Sequence, residues 1–167
     1  MHDDTVPALL AIAATRPEGP WPDQLDVDAF RSLLSPVAPT AARLVDDGTA
    51  RAVRDVLGAV LLDGTDDDAL SLLDGLARTH RITPSADRSG VRFTSLGADP
   101  AGPVWAEVLV PLMEAVAGGC RRRIRRCASD PCTTPFLDGS PGGTRTFCCD
   151  RCATRDRVRR HRAERRG

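Results

Sequence analysis

Apolar residues recur at helical spacing along most of the first 119 positions and alternate in one short part. VPALLAIAA (6–14) predicts a short apolar helix or buried segment. RPEGPWPDQ (16–24), punctuated by three prolines, predicts a loop. Asp26 is placed to cap a helix VDAFRSLL (27–34), which Pro36 ends. Thr40 is placed to cap AARLVDD, stopped by Gly48. Thr49 then opens a stronger helix over 50–62, whose Val53, Val56, Leu57, Val60 and Leu61 share one face. After Gly64, Thr65 or Asp66 caps a helix over 67–80, with Leu70, Leu73, Leu76 and Ala77 on its buried side and acids at its positive end. The period then changes. RITPS (81–85) and VRFTSL (91–96) alternate around a turn, ADRSG, which predicts a β-hairpin.

DPAGP (99–103) leads into VWAEVLVPLMEAVAGGCRRRIRRC (104–127), read as one long helix. Val104, Val108, Leu112, Ala115 and Val116 form its stripe, widened by Trp105 and Leu109. Pro111 is expected to kink it, and Gly118-Gly119 to weaken it where apolar residues give way to arginine. That glycine pair divides the chain into a helical body, 1–119, and a tail, 120–167. Core packing is the favoured role for Trp105 and the wide apolar faces, over a small-molecule pocket.

Charge changes this picture. The formal net charge is zero, yet residues 120–167 carry 14 arginines against 5 acids and the body carries 9 against 18. A basic tail of this kind meets a polyanion or docks on an acidic partner, its own body included. Every basic residue is Arg and none is Lys, which suits bidentate phosphate and guanine contacts. The start, MHDDTVPALLAIAATRPEG, has acids where a signal peptide is basic, and no stretch approaches the roughly 18 apolar residues of a membrane span. A cytoplasmic chain with no membrane partner is therefore expected, and six cysteines there favour metal over disulfides.

The tail's cysteines carry the chemistry. Cys127 and Cys132 are separated by four residues, and Cys148 and Cys152 by three. Asp130-Pro131 turns the first pair back on itself. Phe136-Leu137 and Thr144–Phe147 suit a hairpin across Asp138–Gly143, with Phe136 and Phe147 as its small core. Cys152 then falls in the first turn of a helix running to about Arg166. Loop, hairpin, loop and helix around four sulfurs is the order of a treble-clef zinc finger, so one structural Zn2+ is expected and would supply much of the module's folding free energy. The third ligand is Cys148 or its neighbour Cys149, which would give C-x3-C or C-x2-C. Cys120, seven residues before Cys127, is read as a structural or incidental thiol. The whole chain is thus expected to be α+β: a mainly helical body with one β-hairpin, followed by a C-terminal treble-clef-like finger.

Residues 127–162 resemble the CGNR zinc finger. The resemblance lies in the CxxxxC pair, the run Phe136-Leu137-Asp138-Gly139-Ser140, the arginine and aromatic before the third cysteine, and Cys152-Ala153-Thr154-Arg155, which keeps the Cys and Arg of the name motif. It implies Cys127, Cys132, Cys148 and Cys152 as the ligand set. Residues 1–119 resemble the helical ABATE domain that precedes this finger, with Leu9–Thr15 in place of that domain's opening motif. Together the two resemblances imply a bacterial transcription regulator whose finger binds DNA.

The arginines agree with that implication. Arg155, Arg159, Arg162 and Arg166 fall on one face of the last helix, suited to the major groove or to phosphates. Arg151 and Arg160 lie on the same helix, and Arg121, Arg122, Arg123, Arg125 and Arg126 form a second cluster before the metal. Phe136 and Phe147 are the tail's only aromatics and belong to its core, which favours duplex DNA over a single-strand stacking platform. An enzyme is not expected. His2, His80 and His161 read as terminal, surface and phosphate-side residues, Asp66-Asp67-Asp68 as helix capping, and four sulfurs close a zinc site. The alternative is a zinc-stabilised protein-interaction module without direct DNA contact. In either case the body is expected to form a homodimer or to sense a small-molecule effector.

Overall fold

The computed structural model describes residues 5–17, 23, 25–88 and 90–165. Most of the predicted 16–24 loop, His2 and Arg166 lie outside them. Seven helices and two small antiparallel strand pairs make up the described chain. α1 (Thr5–Ala13), α2 (Val27–Leu34), α3 (Pro39–Leu44), α4 (Asp47–Leu62), α5 (Asp66–Thr79) and α6 (Gly102–Ala117) form the body, with β1 (Ile82–Asp87) and β2 (Gly90–Ser95) between α5 and α6. α1 packs on α2 and α4, α4 on α5, and α6 on α3, α5 and the hairpin. The interior they enclose is aliphatic: Leu9, Ile12, Leu34, Val53, Leu57, Val60, Leu73, Val108, Leu109 and Leu112 are fully buried, and Trp105 joins them.

Local signals explain most element ends. Asp26 accepts from the amides of Asp28 and Ala29 at the start of α2. Thr65 and Asp68 form a reciprocal capping box on α5, and Gly64 precedes it with φ +61°, a conformation open to glycine. Two predicted ends move. Pro39 takes the first turn of α3, so Thr40 lies inside that helix and caps nothing. α4 is capped by Asp46, whose carboxylate accepts from the Thr49 amide, so Gly48 lies in the first turn of α4 and stops nothing. On α5, Ala69 and Leu73 are buried and Leu70 faces solvent.

Two polar groups in the body do more than the sequence suggested. Arg54 is buried and makes two hydrogen bonds of 2.7 Å to Asp23, whose carboxyl is held far below the usual range by that guanidinium. His80, expected on the surface, is instead half-buried. Its ring stacks on Trp105 with centroids 5.2 Å apart, and Nδ1 lies 2.7 Å from Asp99 Oδ2.

The helix predicted over 104–127 ends ten residues early. Pro111 sits inside α6 without ending it; Gly118 closes the helix and Gly119 turns left-handed at φ +76°. A 3₁₀ turn over Cys120–Arg123 follows, and then the chain extends as β3 (Ile124–Arg126). The physical reason is burial. The run Arg121–Arg126 has no apolar stripe to sustain a packed helix, whereas in a strand Ile124 turns toward the core beside Leu137. β3 pairs with β4 (Pro135–Leu137) in the register Ile124↔Leu137, Arg125↔Phe136, Arg126↔Pro135, and β4 lies against α1. The strand partner predicted for Phe136-Leu137, Thr144–Phe147, is irregular instead. The last helix, α7, spans Asp150–Glu164. Among the described residues no helix is long and apolar enough to cross a membrane.

Candidate metal centre and arginine surface

Pairing β3 with β4 makes the Cys127–Cys132 loop the end of a hairpin. The Cys127 amide donates to Thr134 O at 3.1 Å, and the Cys132 amide donates to Ser129 O, which curls the two sulfurs toward one side. The Ala128 amide donates to Thr146 O at 3.0 Å and brings in the segment before the second pair. The Cys148 amide points at Cys127 Sγ, 3.5 Å away. Cys152 enters from the first turn of α7, its amide donating to Cys149 O at 3.1 Å.

These constraints converge on one point. The Sγ atoms of Cys127, Cys132, Cys148 and Cys152 all lie within 4.8 Å of one another. Cys132 and Cys148 Sγ are 3.8 Å apart, and Cys148 and Cys152 Sγ 3.7 Å. A tetrahedron with metal–sulfur bonds of about 2.3 Å has sulfur–sulfur edges of about 3.8 Å, so the spacing is that of a tetrahedral zinc site. Cys127 and Cys152 are buried and the other two half-buried. Burial pushes the Cys148 thiol up and Cys152 up to about 11, while hydrogen bonding from Thr134 holds Cys132 down, at about 6. A divalent cation would stabilise these sulfurs as thiolates. With four protein sulfurs the coordination sphere is full, which suits a structural ion.

The geometry separates Cys148 from Cys149. Cys149 caps α7 with an extended backbone, is exposed, and approaches Cys148 at 3.8 Å while lying outside the four-sulfur group. Zinc analysis of purified variants is therefore expected to give one equivalent for Cys149→Ser and a loss of bound zinc for Cys148→Ser. Equal retention by both would contradict this assignment. Cys120 sits on the 3₁₀ turn, packed against the body core and away from the cluster.

The residues between the cysteine pairs brace the second one. Asp138 is fully buried and accepts from the Ser140 amide (2.9 Å), the Ser140 hydroxyl (2.6 Å) and the Arg145 amide (2.9 Å). Those donors hold its carboxyl below its ordinary range. Arg145 lies over the Phe136 ring at 5.5 Å and donates to Phe147 O and Cys148 O at 2.9 and 2.7 Å. Arg123 reaches Ser140 O at 2.7 Å. Phe136 is buried and Phe147 half-buried, a core too small to fix this loop without such bonds.

The basic residues divide by what they touch. Arg121, expected at phosphates, turns inward instead. Its side chain is 11% exposed, pairs with Asp66 at 2.8 Å, and donates to the carbonyls of Val60, Asp63 and Gly64 at the end of α4. It satisfies carbonyls that a helix end leaves without partners. The attraction between basic tail and acidic body is thus met at Arg121. The opposite net charges of tail and body are the sequence signal for this contact. Arg122, Arg125 and Arg126 are exposed, Arg125 within 3.4 Å of Gly143 O. On α7, Arg159 and Arg160 pair with the buried Asp156 at 2.8 and 2.9 Å. Arg151, Arg155, Arg157, Arg162 and Arg165 are exposed, and the ion pairs of α7 stay within the helix among the described residues.

No curated protein matches the sequence. Residues 123–165 match the family model described as CGNR zinc finger, and the four cysteines gathered within that segment make it a structural site for one zinc ion.

Proposed function

We propose that this chain is a DNA-binding transcription regulator of the bacterial kind, with an ABATE-like body and a finger that meets duplex DNA. The observation that carries the reading is the arrangement of α7. Its first turn is anchored at the metal by Cys152, its inner side holds Asp156, and its outer sides carry exposed arginines. Zinc would fix the direction of the helix, and the arginines would take the place of counterions along the phosphates. Arg122, Arg125 and Arg126, on the other side of the centre, extend the surface; Arg121 is not part of it. In this reading the body dimerises or holds a small effector. A cleft of about 480 Å³ between the hairpin and α6, lined by Phe93, Pro103, Glu107 and Val110 among others, suits the second role.

The test is equilibrium binding of the zinc-loaded full chain to a labelled duplex over a range of salt. The expected result is an affinity that falls steeply and linearly on a log–log plot, with a slope of about −0.9 per phosphate neutralised. Affinity absent at every salt concentration would instead favour a protein-interaction role for the finger.

A further inference from the structure

Val158 is the one large apolar side chain of the finger that stands exposed among the described residues, at 43%. Single exposed apolar residues are ordinary; the setting of this one is not. On an α-helix, Arg151, Arg155, Val158, Arg162 and Arg165 are spaced i, i+4, i+7, i+11 and i+14 and lie along one stripe. The four arginines of that stripe make no side-chain hydrogen bond or ion pair among the described residues. Arg159 and Arg160, which flank Asp156 rather than Val158, are the ones tied down. So α7 presents a row of uncommitted guanidinium groups with one methyl-bearing side chain at its middle. A β-branched residue gains nothing for helix propensity there, and Val158 lies outside the hydrophobic core and the residues packed against it.

We infer that Val158 reads a thymine methyl on the floor of the major groove, an inference that rests on the duplex-binding reading above. The groove is about 12 Å wide and admits one helix, and among the four bases only thymine presents a methyl group there, on C5. With Val158 facing the floor, Arg155 and Arg162 stand one turn to either side. Their long side chains reach the phosphates of the walls or the O6 and N7 of a neighbouring guanine. The stripe from Arg151 to Arg165 rises about 21 Å at 1.5 Å per residue, enough to follow the groove through its contact. The preferred duplex should therefore carry an essential thymine at the centre of the α7 footprint.

The test begins with selection of duplexes from a random library by the zinc-loaded full chain. Each thymine of the selected duplex is then replaced in turn by deoxyuridine, which keeps every hydrogen bond and removes only the methyl. The expected result is one sensitive position per bound finger, where uracil weakens binding roughly threefold to tenfold, the scale of one buried methyl group. Val158→Ala should bring the thymine-over-uracil ratio at that position to below about twofold, with the zinc content and the salt slope kept. Two results would overturn the inference while leaving duplex binding in place: full salt-dependent affinity with indifference to uracil at every position, or an unchanged thymine-over-uracil ratio in Val158→Ala. Absence of any duplex binding by the zinc-loaded chain would remove the underlying reading and this inference with it.

Discussion

Chelating zinc from the full chain is expected to melt α7 and open the 127–152 segment while the body stays folded. The two parts are held by different means. The body has a continuous aliphatic interior from Leu9 to Val116. α7 has only Cys152 and Asp156 buried along its 15 residues, and the strands of its module are 3 residues each. Without metal, the four clustered sulfurs give nothing in return for ordering the loops, and arginines crowded along α7 repel one another. Structural zinc in comparable small modules contributes on the order of 10–16 kcal/mol of apparent binding free energy at neutral pH, far more than this core supplies. Far-UV circular dichroism should lose the helical signal of α7, and an arginine-specific protease should cut first within 151–162. Cys152→Ser should behave like the chelated protein. A finger that keeps its helicity and protease resistance without metal would show that packing of Ile124 and Leu137 on the body suffices.

The double substitution Arg155→Ala with Arg162→Ala is expected to weaken duplex binding about tenfold or more near 0.1 M salt and to reduce the salt slope by roughly two phosphates' worth. Both side chains are exposed and uncommitted, so no internal contact is lost with them. Arg159→Ala should cost less, because Asp156 already neutralises that guanidinium. Arg121→Ala should leave the slope unchanged and lower thermal stability, since its guanidinium joins the tail to Asp66 and the end of α4. Parallel salt titrations of the three variants check this pattern. A slope lost with Arg121 and kept without Arg155 and Arg162 would reverse the assignment of the two clusters.

The metal centre was legible in the sequence because thiol spacing reports directly on coordination. The run Phe136–Ser140 and Arg145 were legible as a motif, but their work, bracing Cys148 through Asp138 and the Phe136 ring, emerges only in three dimensions. The body's helices showed in their apolar period, and the hairpin in its alternation. Sequence and structure part where two local choices are close in energy. Asp46 and Thr49 are both good caps, and the one that starts α4 earlier wins. Ile124-Arg125-Arg126 reads in sequence as helix extension, and only the distant partner Pro135–Leu137 makes it a strand. Arg54, Arg121 and His80 look like surface residues in one dimension; each is drawn inward by a partner, respectively Asp23, the end of α4, and Trp105 with Asp99. Long-range polar pairing of this kind leaves no periodic trace.

In the proposed function, zinc fixes α7 and so makes the arginine surface a duplex-binding element. The measurement that tests it most directly is the salt dependence of duplex affinity for the full chain, taken first with zinc bound and then after chelation. A steep salt slope and selective affinity are expected with zinc, and after chelation a weaker, shallower binding that returns when zinc is restored. Equal affinity and equal slope in the two states would contradict it, as would a zinc-loaded protein that binds no duplex at low salt.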